Sequence, residues 1–145
     1  MQNTRQGNNR VVFMIIELPI WPPTTNTYYR NVNGRMVMSA KGRQFLADGL
    51  RHIAPLIKDH PTWTERLGVN VMLFPPDRRK RDLDNYLKAV LDLMTKAKVW
   101  EDDSQIDILQ VSREARIQKG RVTIEIWQRR EKHWGIDSIK PQTGQ

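Results

Sequence analysis

The spacing of apolar residues changes period several times along the chain, and each change predicts an element. Residues 11–18, "VVFMIIEL", are apolar and partly β-branched, which predicts a buried strand. The segment "PIWPPTTNTYYRN" holds three prolines and predicts an irregular loop. Residues 28–31 and 36–38 flank "VNGR", where Asn33-Gly34 predicts a hairpin turn. Ser39 is placed to cap a helix over residues 40–58, whose stripe is Phe45, Leu46, Leu50, Ile53 and Ile57; Pro55 predicts a kink or an early stop. Residues 67–74 alternate as a strand does.

From Leu83 onward, apolar residues at 83, 87, 90, 91, 94 and 97 fall on one stripe at about 100° per residue, predicting a second helix. Asp84, Lys88 and Asp92 lie along its polar flank. Residues 106–111 and 122–127 read as two more strands around a "QKG" turn. Residues 1–10 are polar and predict a flexible arm, and residues 128–145 lose all periodicity and predict a flexible tail. The order β, hairpin, α, β, α, β, β predicts one α+β domain over residues 11–127, with a mixed or antiparallel sheet and two main helices packed on it.

Charge sharpens this picture. The 145 residues carry 24 lysines and arginines against 16 acids, a formal net charge of +8, which points to a polyanionic partner. The lack of cysteine excludes a disulfide framework, a thiolate zinc site and a cysteine nucleophile. The polar N-terminus and the short apolar run after it predict a soluble, cytoplasmic protein with no membrane span. There is no P-loop, no glycine-rich dinucleotide fingerprint and no nucleophile elbow, so no organic cofactor is expected. His52, His60 and His133 are scattered without metal-ligand spacing.

What remains is carboxylate. Four cations, Arg78, Arg79, Lys80 and Arg81, stand directly before Asp82 and Asp84, and "EDD" at 101–103 follows the second helix. Two or three carboxylates without histidine or cysteine make a hard oxygen site suited to Mg²⁺ or Mn²⁺. The cations would then bind neighbouring phosphates, and Lys88 would stabilise charge in the transition state. A structural reading stands beside this one: Asp82 caps the helix, Asp84 favours its dipole and pairs with Lys88, and the basic run and "EDD" are solvated loops.

The stretch "PPDRRKRDLDNYLKAVLDLMTKAKVWEDDSQI" resembles the signature of the RusA family of Holliday junction resolvases, and "LPIWPPTTNTYYRNVNGRMVMSAKGRQF" resembles its proline-rich opening. The resemblance covers roughly residues 15–127 and leaves out the arm and the tail. It implies a homodimeric endodeoxyribonuclease that uses Mg²⁺ or Mn²⁺ to cut four-way, branched DNA symmetrically in recombination and repair. It implies Asp82, Asp84 and Asp103 as metal-binding and catalytic residues and Lys88 as the essential lysine, with Asp102 an acidic neighbour. Arg81 and Asn85 would support substrate binding alongside Arg78, Arg79 and Lys80. The alternatives are a branched-DNA-binding protein without catalysis and a phosphohydrolase of small nucleotides. The basic run argues against the second.

Overall fold

The structure is a computed structural model. It describes residues 14–129 throughout and, as backbone, β1 (Asn3–Arg5) and β2 (Arg10–Val12), which pair antiparallel. β1 and the first residue of β2 fall in the stretch expected to be a flexible arm, and the rest of β2 falls in the strand expected over 11–18. The strand expected over 11–18 is split, with β3 covering Met14–Leu18.

The proline-rich segment contains a single helical turn, α1 (Thr25–Tyr28), where an irregular loop was expected. Thr24 explains it, because its Oγ1 accepts from the Thr27 amide at 3.3 Å. The hairpin forms as expected between β4 (Tyr29–Val32) and β5 (Arg35–Met38). Asn33 and Gly34 take the positive φ values of 52° and 82° that such a turn requires.

Ser39 caps α2 (Ala40–Ile57), its Oγ accepting from the Gly42 amide at 3.0 Å. Pro55 does not stop the helix early. It sits in the last turn, and Arg51, whose carbonyl loses its partner there, is exposed. β6 (Leu67–Phe74) matches its expected span. After it come a 3₁₀ turn, Leu83–Tyr86, and α3 (Leu87–Lys96). A second 3₁₀ turn, Asp103–Gln105, leads into β7 (Ile106–Arg113), and β8 (Arg121–Gln128) closes the domain.

Four strands make one mixed sheet in the order β3-β8-β6-β7. Only β6 and β7 run parallel, and α3 is the crossover between them. β8 is central and buried along residues 122–127, including Glu125, which accepts from Asn70 Nδ2 on β6 at 3.0 Å. Ile16, Val69, Val71, Val90, Leu93 and Ile126 belong to the core between sheet and helices. Gly49 lets α2 approach α3 closely; a Cβ there would clash with Leu93 Cδ2. The architecture is α+β with a mixed sheet. The expected tail begins later than residue 128, because Gln128 ends β8 and the Arg129 amide donates to the Arg66 carbonyl at 2.9 Å. The remainder of the expected flexible tail, including His133, lies outside the described residues. Among the described residues no helix is long and apolar enough to cross a membrane.

Candidate active site

The basic run and the first two aspartates occupy the loop that leaves the carboxyl end of β6. In open sheets with parallel strands, this is where ligands usually bind. Asp82 stands at the N-cap position of the 3₁₀ turn with extended backbone, yet its side chain makes no capping hydrogen bond. Only its carbonyl takes part, accepting from the Asn85 amide at 3.1 Å. The capping role of the structural reading is therefore not realised. Asp84 and Lys88 are exposed, and among the described residues no ion pair joins them. Asp92, on the same flank, is occupied: it accepts from the Tyr28 hydroxyl and lies 3.9 Å from Lys96 Nζ. Burial, reinforced by this carboxylate, pushes the Tyr28 phenol far above its ordinary range.

The four cations are not equivalent. Arg78, Arg79 and Lys80 are exposed, whereas the Arg81 side chain is only 12% exposed. Its guanidinium lies 2.8 Å from Asp77 Oδ1 and stacks 5.4 Å from the centre of the Trp21 ring. Trp21 in turn packs on Tyr86 at 5.0 Å. Asp77 also accepts from the Arg79 amide at 3.0 Å. The hydrogen bond from Arg81 is the largest cause holding the Asp77 carboxyl at about 2, and Asp77 in return raises the Arg81 guanidinium. Arg113 on β7 donates to the Arg81 carbonyl at 2.6 Å, and Thr25 donates to the Asn85 carbonyl at 3.2 Å. The carboxylate-bearing turn is thus tied to β7, α1 and the proline-rich segment. Asp77 and Trp21 organise this loop. Asp77 shows in the sequence only as an acid four residues before Arg81.

Asp103 is half-buried at the other end of α3. Its Oδ1 accepts from Thr95 Oγ1 and from Trp100 Nε1, the latter at 2.9 Å. Trp100 is fully buried, so this oxygen is held by the core. Asp102 acts locally. It accepts from the Ser104 amide at 2.9 Å, while Gln105 Oε1 accepts from the amides of Glu101 and Asp102 at 2.8 and 2.7 Å. Together these make a capping box. Thr95 carries no signal in the sequence, and Trp100 shows there only as part of the stretch that resembles the RusA signature; the fold sets both on Asp103.

The three aspartates have the oxygen chemistry a hard divalent ion takes. They are not gathered, however. The 3₁₀ turn and α3 separate the Asp82–Asp84 end from the Asp103 end by about 20 Å at helical rise. The parallel pairing agrees, since Asp103 precedes the start of β7 while Arg81 is tied to its last residue, about 25 Å along the strand. Among the described residues no group of three or more histidines, cysteines and acids is placed to hold a metal ion.

The model of the family described as Endodeoxyribonuclease RusA matches residues 19–127. The chain belongs to the RusA family. Among curated RusA relatives, the crossover junction endodeoxyribonuclease of Enterobacteria phage HK97 is 39% identical over 106 residues, 73% of this chain and 88% of that one. The RusA proteins named as crossover junction endodeoxyribonucleases in Escherichia coli (strain K12) and Enterobacteria phage 82 are each 37% identical over 111 residues, 77% of this chain and 91% of theirs. Every candidate site residue discussed above falls inside the matched span. Among solved structures, a periplasmic domain of Helicobacter pylori MotB aligns at a TM-score of 0.40 and 17% identity over 99% of both chains, too low to bear on fold or function.

Proposed function

We propose that this protein is a metal-dependent endodeoxyribonuclease that resolves four-way DNA junctions by paired, symmetric phosphodiester hydrolysis in the cytoplasm. The observation that carries the reading is the exposed carboxylate pair Asp82 and Asp84, with Asp82 uncapped, set against an exposed cationic loop in a chain of the RusA family. Arg78, Arg79 and Lys80 neutralise phosphates flanking the scissile one. Lys88, four residues beyond Asp84, stabilises charge on the leaving 3′ oxygen. Asn85 supports the DNA beside them, and Arg81 shapes the loop that presents the other cations. Water attacks phosphorus in line and the P–O3′ bond breaks, leaving 5′-phosphate and 3′-hydroxyl ends.

Asp82, Asp84 and Asp103 are the residues that would hold Mg²⁺ or Mn²⁺. When bound, such an ion lowers the pKa of water and offsets charge on the phosphate. The two ends of α3 are too far apart for one chain to bring all three aspartates to one ion. A homodimer answers this, with Asp103 of a second copy meeting Asp82 and Asp84 of the first. The same two-fold symmetry suits two cuts across a nearly two-fold junction.

The test is cleavage of a synthetic four-way junction by the wild type and by Asp82→Asn, with and without Mg²⁺, beside a linear duplex of the same sequence. The wild type should cut only the junction, only with metal, at two symmetric places. Cutting at full rate by Asp82→Asn overturns the assignment. Tight junction binding by both proteins without cutting under either ion would instead make this a branched-DNA-binding protein.

A further inference from the structure

A cleft of about 540 Å³ opens beside the basic loop. The proline-rich segment, the first two turns of α2, and the loop from Arg79 to Arg81 form its walls. Its volume lies within the range of about 300–1,000 Å³ typical of small-ligand sites. Its two sides differ in chemistry. Trp21, Pro22, Pro23 and Phe45 supply apolar and aromatic wall, while Lys41, Arg79 and Lys80 supply exposed positive charge.

Asp48 is the one carboxylate among the lining residues. It accepts from Gln44 Nε2 at 3.0 Å and pairs with Arg51, so it is already neutralised. The cleft as a whole favours an anion carrying a flat apolar group. Its position narrows the choice further. Arg81 and Tyr86 line it, and these residues bracket Asp82 and Asp84 in the chain.

We propose that this cleft binds one unpaired nucleotide of DNA, its base against Pro23 and the part of the Trp21 ring left open by Arg81 and Tyr86, and its phosphate between Lys41 and Lys80. Base stacking on an aromatic wall and phosphate contact from lysine are the two terms that hold single strands on proteins. A duplex end or a buried base pair does not fit a pocket of this size, so occupancy requires a base displaced from its stack. In a four-way junction the pairs at the branch point lose stacking where the arms diverge, so displacing a base there costs less than inside a continuous duplex. The cleft would then select branched over linear DNA through a displaced base close to the scissile phosphate. The placement beside that phosphate rests on the function proposed above; the single-strand site itself does not.

The experiment measures binding of the full chain, without divalent metal, to a short oligothymidylate and to a strand of equal length made of abasic residues. Both strands carry the same phosphates. The wild type should bind the base-bearing strand about tenfold or more tightly. The Trp21→Leu variant, which removes the stacking ring and leaves Lys41 and Lys80 in place, should lose that preference and keep its affinity for the abasic strand. Equal affinity of the wild type for both strands overturns the proposal, since only phosphate contacts would remain. A preference that survives Trp21→Leu overturns it as well, because the base would then bind elsewhere. Junction cleavage measured on the same wild-type protein separates the two ideas. Cleavage without base preference refutes the cleft and leaves the nuclease, and base preference without cleavage does the reverse.

Discussion

Replacing Thr95 with valine isolates what holds Asp103 in place. Thr95 Oγ1 donates to Asp103 Oδ1 and accepts from Trp100 Nε1 at 2.9 Å. Valine keeps the β-branch and nearly the same volume near the end of α3, so backbone propensity changes little. Trp100 Nε1 keeps Asp103 Oδ1 as an acceptor at 2.9 Å, so no buried donor is orphaned. What disappears is one of two donors to a carboxylate. Hydrogen bonds to charged groups contribute about 1.5–3 kcal/mol when buried. Asp103 is only half-buried and water can replace part of the bond, so about 1 kcal/mol is expected, a fall in Tm of roughly 3–5 °C for a chain of this size. The effect on chemistry should exceed this. Partners that orient metal ligands typically change metal affinity or activity by about 10–100-fold when removed. Junction cleavage over a Mg²⁺ titration, with thermal unfolding of the same samples, reads both quantities. If the variant loses stability while its Mg²⁺ dependence and maximal rate match wild type, Thr95 supports the fold alone and does not aim Asp103.

Three further outcomes are expected. Asp82→Asn and Asp103→Asn should each be inactive alone, yet a mixture should recover nicking of one strand, because a mixed dimer has one intact site if that site spans two copies; a mixture as inactive as its components would place each site within one chain. The Asp77 carboxyl is held at about 2 by Arg81, below its ordinary 3.8, so its contribution to stability is present above pH 4 and lost as pH falls through about 2; Asp77→Asn should flatten that acid limb in unfolding midpoints measured against pH, and an unchanged limb would show that the pair contributes nothing. Arg78→Ala and Lys80→Ala should each reduce the slope of log affinity against log salt by about 0.9 in junction-binding titrations, whereas unchanged slopes would remove these side chains from the phosphate contacts.

Features set by neighbouring residues were legible in the sequence. The Asn33-Gly34 turn needs positive φ at two adjacent positions, and that need is written in the dipeptide. Ser39 and the alternation of residues 67–74 likewise fix α2 and β6 through local bonds and one buried face. The start of the second helix was harder. Its apolar stripe begins at Leu83, but without a capping bond from Asp82 the first turn winds as 3₁₀ and the α-helix begins at Leu87. The turn at Thr25 was hidden because prolines dominate the composition around it, while a single threonine hydroxyl decides it. Long-range facts were not legible. Nothing local specifies that β8 inserts between β3 and β6, or that β6 and β7 run parallel. That parallel pairing puts Asp103 at the opposite end of α3 from Asp82, so an acidic loop close in sequence is distant in space.

The contrast between Arg81 and its neighbours gives a reason for placing cations directly beside uncapped carboxylates. A guanidinium free to swing onto Asp82 at about 4 Å would attract it by about 4 kcal/mol near a protein surface, enough to compete with an incoming ion. Asp77 intercepts that contact. It holds Arg81 back against Trp21 and lies 3.4 Å from Arg79. The acid that precedes the basic run thereby occupies the cation next to Asp82. This accounts for a third carboxylate in "DRRKRDLD", Asp77, beside Asp82 and Asp84, the pair proposed to hold the metal. It also follows that Asp77→Asn should impair cleavage more than junction binding, because the released guanidinium still attracts phosphate while it masks Asp82.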